Sequence, residues 1–174
     1  MIWENPRYLI SNGDMPSILQ EGARYNALHV AARKSNADMA ALILDTIADT
    51  KFIQLLYGDC LENSRQRSSI LLDLYLNMPD KGLHETPLHI ASKLGATRVV
   101  EVFVNLPECK KYQLNKEKLT PVEIICSRQT PYASATLEIK HLLQDTFFVP
   151  VLRSPTQDQP EVGLPFSTTK PLVR

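Results

Sequence analysis

The sequence is poor in the residues that build disulfide and metal sites. It contains three cysteines, Cys60, Cys109 and Cys126, and their odd number and wide spacing predict reduced thiols. The same spacing argues against structural zinc, whose ligands come in close pairs. We therefore expect a protein of a reducing compartment, with no metal site and no cofactor.

Neither sign of charge is in excess, and long apolar runs are absent. Lysine plus arginine and aspartate plus glutamate number 19 each, without a basic run, which argues against direct nucleic-acid binding. No apolar run reaches the roughly 18 residues of a membrane helix, and the N-terminus lacks a signal-peptide pattern. We expect a soluble fragment that makes no membrane contact.

Enzyme motifs are also missing. The chain has no G-x-S-x-G, H-E-x-x-H, P-loop or C-x-x-C motif. A hydrolase site within residues 51–77 is a further alternative, but that segment offers no nucleophile–histidine pair. The prediction is a non-enzymatic protein without catalytic residues.

The most informative stretch that is present is Glu85–Ala91. Its T-P-L-H pattern is typical of the first helix of an ankyrin repeat, a two-helix unit of about 33 residues. Thr86 is a good N-cap, and Pro87 suits the first helical position. His89 can use both ring nitrogens to tie turns together, and Gly95 can end the helix in the left-handed conformation. Residues 99–104 would begin a second, apolar helix.

Two further stretches, Asn26–Ala32 and Leu119–Ile125, resemble the first. Leu88 and Val122 are 34 residues apart, one repeat length, whereas Leu28 and Leu88 are 60 apart. The sequence thus predicts an all-α ankyrin-repeat solenoid of about three helix-pair repeats, with β-hairpin fingers and a long insertion after repeat one.

The predicted organisation has three parts. Residues 1–22 form a capping arm, extended over Asn5–Ile10, turning at Ser11–Asp14 and helical near Pro16–Gln20. Residues 23–148 hold the repeats, with the insertion at about 51–77. Residues 149–174, where proline recurs, form an extended tail.

Periodicity predicts the elements between the motifs. Helices are expected over 27–34, 38–48, 51–57 and 134–145, a loop over 58–66, and strands over 72–77 and 111–114 beside finger tips at 78–82 and 115–118. Two sets of side chains should pack these helices: Met39, Leu42, Ile43 and Ile47 in the second helix, and Leu137, Ile139, Leu142, Leu143 and Phe147 near the end.

Stacked ankyrin repeats bind partners on a concave face made of finger tips and first helices. The polar residues expected there are Asp80, Lys81, His84, Glu85, Lys116 and Lys118 from the fingers, and Arg33, Lys34, Lys93, Leu94 and Arg128 from the first helices. An ordinary solvated face is the alternative for any one of them. Thr130 and Ser154, each before proline, are candidate phosphorylation sites.

Six landmarks resemble the ankyrin repeat and LEM domain-containing protein family, in order along the chain: Asn5–Ile10, Gln20–Gly22, Arg24–Asn26, Asp73–Asn77, Pro79–Lys81 and Val149–Arg153. The resemblance covers only the ankyrin-repeat region, because the chain has no LEM motif. It implies a protein on the cytosolic side of the endoplasmic reticulum and nuclear envelope.

The resemblance also implies a role in nuclear envelope reassembly after mitosis. Members of that family engage a type 2A protein phosphatase, favour dephosphorylation of barrier-to-autointegration factor, and oppose a vaccinia-related kinase. The expected partners are therefore phosphatase subunits and, second, that kinase. A generic ankyrin adaptor with an unrelated protein partner is the alternative.

Overall fold

Helices account for most of the structure, a computed structural model that describes residues 4–11, 13–58, 60–128 and 133–144, and the backbone of residues 147–148, 151–152, 161–162 and 166–167. Within these residues there are seven α-helices: α1 (Ala27–Arg33), α2 (Ala37–Ala48), α3 (Thr50–Tyr57), α4 (Leu61–Asn77), α5 (Pro87–Lys93), α6 (Thr97–Val104) and α7 (Ala133–Leu143). The all-α class is confirmed.

Two helix pairs, α1 with α2 and α5 with α6, repeat the same arrangement. Within each pair the helices are in contact, and between pairs α1 packs on α5 and α2 on α6. The helices therefore form two layers, with the first helix of each pair in one layer and the second in the other. Their shared core is lined by small and branched apolar side chains such as Ala31, Ile43, Ala91 and Val100.

The side chains that face this core in α2 are only partly those expected. Ile43 and Ile47 are buried, as predicted, but Met39 and Leu42 are 44% and 51% exposed. Ala40 and Leu44 are buried in their place. The buried face thus runs one position later than predicted, because a helix that touches α1, α4 and α6 is buried on the side that its neighbours cover.

The segment after α2 is helical, where a loop and a strand were predicted. The helix α3 is confirmed, but α4 begins at Leu61 and runs to Asn77, so the loop over residues 58–66 is wrong from residue 61, and the strand over 72–77 is wrong. Leu71, Leu72, Tyr75 and Leu76 are all buried, and this spacing has the helical period. The alternation of leucines at 72, 74 and 76 suggested a strand, because so few residues do not distinguish a period of two from the helical period.

Helices α3 and α4 are part of the core. The two pack on each other, and α4 also contacts α1, α2 and α5. Asn26, the N-cap of α1, donates from its side-chain amide to the carbonyl of Tyr75 at 3.0 Å. The segment over residues 51–77 therefore joins the two helix pairs instead of looping away from them.

The N-terminal arm folds back onto this core. It forms a 3₁₀ helix (Pro6–Tyr8), where an extended segment was predicted, and strand β1 (Ile18–Gln20), where a helical turn was predicted. Strand β1 pairs antiparallel with β2 (Tyr25–Asn26). Leu9 is buried, and its carbonyl accepts a hydrogen bond from the hydroxyl of Tyr75.

The described residues after α6 depart furthest from the repeat pattern. Residues 111–114 form turns and coil instead of the predicted strand, and residues 121–128 form successive turns instead of a helix. The chain then enters α7, which packs on α6. Ile139 and Leu143 are buried as expected, Leu142 is half-buried, and Leu137 is 68% exposed.

Residues 144–174 form a second compact unit. Its described backbone consists of two antiparallel strand pairs: β3 (Phe147–Phe148) with β6 (Phe166–Ser167), and β4 (Val151–Leu152) with β5 (Glu161–Val162). These pieces are extended, while the packing expected of the Phe147 side chain lies outside the described residues. The domain boundaries at residues 22 and 148 remain predictions.

Candidate functional site

Three turns of the chain share one backbone conformation. Arg24, His84 and Lys118 have positive φ angles of 58°, 57° and 60°. Each lies two residues before a capping residue: Asn26 for α1, Thr86 for α5, and Thr120 for the turns that follow. The left-handed conformation is uncommon for residues other than glycine. Because it recurs at the same position before each capping residue, the three turns are equivalent.

Backbone hydrogen bonds connect these turns in series. The amide of Lys81 donates to the carbonyl of Ala23 at 2.9 Å, and the amide of Lys116 donates to the carbonyl of Leu83 at 2.8 Å. The Lys116 ammonium also donates to the carbonyl of Gly82 at 2.6 Å. The three turns therefore lie side by side within the helical unit.

Two buried histidines fix the turns against the helices. The Nε2 of His29 lies 3.3 Å from the carbonyl oxygen of Glu85, and the Nε2 of His89 lies 3.2 Å from that of Leu119. Because a carbonyl only accepts, each Nε2 carries the proton and each Nδ1 accepts. The Nδ1 of His89 accepts from the amide of Thr86 at 3.2 Å, which completes a capping box.

Both imidazoles are neutral in this arrangement. Burial lowers the pKa of His29 to about 4, against the opposing effect of its hydrogen bond to the carbonyl of Glu85. Burial likewise lowers the pKa of His89. Each ring contacts its own N-cap residue and the carbonyl of a later turn, so it is one donor and one acceptor in a fixed network.

Two of the predicted binding residues, Asp80 and Glu85, are buried, with 7% and 5% of their surface exposed. The carboxylate of Asp80 accepts from the amide of Glu85 at 3.0 Å, and the carboxylate of Glu85 pairs with the Lys93 ammonium. These three side chains hold the second turn to the end of α5. Asp80 and Glu85 are therefore not exposed, in contrast to their expected place among the polar residues of the binding face.

The other predicted residues lie nearer to solvent. Leu94 is half-buried, and seven side chains are exposed: Arg33, Lys34, Lys81, His84, Lys116, Lys118 and Arg128. Arg128 lies beside the end of α5 in space, because its amide donates a hydrogen bond to the carbonyl of Lys93 at 3.2 Å. Thr130 and Ser154 fall outside the described residues.

One exposed side chain of the turns, Arg24, was missed by the sequence reasoning. Its position in the sequence could have identified it, since Arg24 lies two residues before Asn26, as His84 lies two residues before Thr86. In the described ranges there is no cluster of three or more histidine, cysteine, aspartate or glutamate residues that could hold a metal. The helices of the same ranges include none long and apolar enough to cross a membrane.

Several known proteins are similar in sequence to this chain. No family model matches the chain. A fly protein (Drosophila melanogaster), named ankyrin repeat and LEM domain-containing protein 2 homolog, is 49% identical over 98% of the chain. The mouse (Mus musculus) protein of that name is 44% identical over 88%, and the nematode (Caenorhabditis elegans) homolog 37% identical over 90%.

The chain spans only a part of these relatives: 15% of the fly protein, 16% of the mouse protein and 26% of the nematode protein. The resemblance inferred from the landmark residues is confirmed over nearly the whole chain. By sequence, the chain is thus a homologue of one segment of the ankyrin repeat and LEM domain-containing protein 2 family.

Proposed function

We propose that this chain is a non-enzymatic protein-binding module built from ankyrin repeats. The observation that carries the proposal is the repeated unit of left-handed turn, capped first helix with a buried histidine, and second helix packed on the first. His29 and His89 each reach to the carbonyl of the next turn, at residues 85 and 119. A row of such turns presents a continuous surface that the protein does not need for its own core.

The proposed binding surface is made of the exposed side chains of the turns and of the first-helix ends. Three buried or partly buried side chains stabilise the turn that carries this surface: Asp80, Glu85 and Lys93. Their charged groups are bonded within the molecule. The exposed residues Lys34, Lys81, Lys118 and Arg128 project from it. Charged side chains in such positions are available to a partner at little cost to folding.

The proposed partners are subunits of a type 2A protein phosphatase, with a vaccinia-related kinase second. The family resemblance implies them, and it implies a role in dephosphorylation of barrier-to-autointegration factor as nuclear envelopes reassemble after mitosis. The relatives' name includes a LEM domain, which supports a whole protein at the endoplasmic reticulum and nuclear envelope. The chain would be the scaffold segment of that longer protein.

The test is capture of phosphatase subunits from mitotic extract by the 174-residue chain. A Lys34→Glu, Arg128→Glu double variant reverses two exposed charges of the proposed surface. A Lys51→Glu, Arg98→Glu variant makes the same charge change on α3 and α6, where both side chains are also exposed. The proposal predicts capture by wild type and by the control, and loss of capture by the first variant.

Each other outcome revises one part of the proposal. Equal capture by all three proteins would move the interface away from the turns. Capture of other proteins without any phosphatase would favour the generic ankyrin adaptor with an unrelated partner. Capture of no protein at all would overturn the binding function of this segment.

A further inference from the structure

The exposed side chains along the three turns carry mostly one charge. We use the term basic surface for seven residues, four in the turns and three at the helix ends beside them: Arg24, Lys81, Lys116, Lys118, Arg33, Lys34 and Arg128, all exposed. The chain as a whole has no net charge. A concentration of positive charge along the three turns is therefore a property of the fold.

Contacts between the turns hold these residues together. Lys81 is bonded through its amide to the first turn, and the Lys116 ammonium lies on the second turn. The amide of Arg128 donates to the carbonyl of Lys93 at the end of α5, the helix that follows the second turn. The positive charges are thus spread over neighbouring turns and a neighbouring helix end.

Two acidic residues of the second turn are turned inward. Asp80 and Glu85 are buried, and their carboxylates bond to the Glu85 amide and the Lys93 ammonium. Across the described residues, none of the salt bridges involves a member of the basic surface. The exposed carboxylates of these turns and of the turns that follow Thr120 are Glu21, Glu117 and Glu123. Positive charge therefore outweighs negative charge toward solvent.

We propose that the basic surface binds an acidic segment, rich in aspartate and glutamate, of a protein partner. This inference rests on the proposed protein-binding function and adds the chemistry of the segment that is recognised. Complementary charge at an interface raises the rate of association and selects the partner. Within the part of the chain that the structure describes, the basic side chains form no ion pair that would have to break when that segment binds.

Two features favour a protein segment over a nucleic acid. Glu21 and Glu117 lie among the basic residues, where a uniform phosphate backbone would meet repulsion, while a protein segment can place a lysine or a neutral residue. Binding of single strands also uses exposed aromatic rings for stacking. The aromatic residue of the first turn, Tyr25, is instead half-buried and stacked on His29, with ring centroids 5.1 Å apart.

The test is fluorescence anisotropy of a labelled peptide of about ten residues, alternating aspartate and glutamate, titrated with the chain. Lys81→Glu, Lys118→Glu reverses two charges of the basic surface, and Lys51→Glu, Arg98→Glu is the control with the same change in net charge. We expect the first variant to weaken binding about tenfold or more and the control less than about threefold. Raising salt from about 0.05 M to 0.5 M should weaken wild-type binding, because the exposed charges are screened.

A single-stranded DNA of equal charge, titrated alongside, separates the two classes of ligand. Tighter binding of the DNA than of the peptide, lost in the Lys81→Glu, Lys118→Glu variant, would overturn the assignment to protein. No peptide binding, or equal losses in both variants, would overturn the inference altogether. Phosphatase capture in the extract experiment without any peptide binding would retain the proposed function and reject only the acidic segment.

Discussion

The imidazole of His29 spans 56 positions of sequence to reach the carbonyl oxygen of Glu85, with Nε2 and the oxygen 3.3 Å apart. His89 makes the same contact with Leu119. In each case the ring joins the start of one helix pair to the next turn along the chain. A single residue type at a single register thus couples neighbouring units, and several consequences can be measured.

The neutral state of His29 predicts that stability falls as pH is lowered. Burial lowers its folded pKa to about 4, while the unfolded value is about 6.5. Between these values the unfolded chain binds more protons, so the free energy of unfolding rises with pH. From about pH 7.5 to 5.5, His29 alone should account for a loss of about 1.4 kcal/mol.

Urea unfolding at several pH values in that range measures this loss of stability. The range lies above the pH at which ordinary carboxyl groups titrate. His89 should add to it in the same direction, because burial also lowers its pKa. A free energy of unfolding that does not change between these pH values would show that His29 is not buried as a neutral ring.

Truncation in α4 should destabilise the whole helical core. Leu76 is 1% exposed, and Leu76→Ala should cost about 2–5 kcal/mol through lost burial and the cavity left behind. Ile70, on the same helix, is 59% exposed, and Ile70→Ala should cost less than about 0.5 kcal/mol. Denaturant unfolding with fluorescence and circular dichroism measures both.

The same experiment asks whether α3 and α4 are a separate appendage. A core shared with α1, α2 and α5 predicts one transition that moves as a unit in Leu76→Ala. Two transitions, of which the variant shifts only the smaller, would mean that residues 51–77 fold independently of the helix pairs.

Lys93 and Arg33 occupy equivalent positions, seven residues after the N-caps Thr86 and Asn26, but they should respond differently to charge reversal. The Lys93 side chain is 14% exposed and pairs with Glu85, whose side chain is 7% exposed. Lys93→Glu would place two carboxylates together in a largely buried site, at a cost of about 2–4 kcal/mol.

Arg33 is exposed, and Arg33→Glu should cost less than about 1 kcal/mol. Thermal unfolding of the two variants under identical conditions gives the comparison. Equal stability of both variants would contradict the structural role of the Glu85–Lys93 pair.

Two helix ends offer a reciprocal pair of glycine substitutions. Ser35 after α1 and Gly95 after α5 both have positive φ angles, 51° and 66°. Only glycine takes this conformation without strain, so Gly95→Ala should cost about 1 kcal/mol, and Ser35→Gly should gain a few tenths. Calorimetric melting of both variants checks the opposite signs, and destabilisation by Ser35→Gly would contradict the strain at that position.

Sequence alone predicted the parts of the structure that depend on neighbouring residues. Thr86, Pro87 and His89 form a capped helix start within one turn, so their roles followed from the motif. The helix over residues 51–57 was likewise recognisable from its apolar content. These features need no knowledge of what packs against them.

The errors concern features that tertiary packing decides. Leu72 and Leu76 fit both a strand and a helix over six residues, and only the contacts of α4 with α2, α3 and α5 distinguish the two. Asp80 and Glu85 looked like surface residues because their charges suggest exposure. Their burial depends on Lys93 and on the backbone of the second turn, which are brought together only in the folded chain.

The measurement that tests the central claim most directly is hydrogen exchange of the chain, free and bound to the phosphatase subunits proposed as its partners. The account predicts protection on binding in the turns around residues 21–24, 81–84 and 116–118, with α3 and α4 unchanged. Protection confined to α3 and α4, with unchanged exchange in the three turns, would contradict the turn surface as the site of binding.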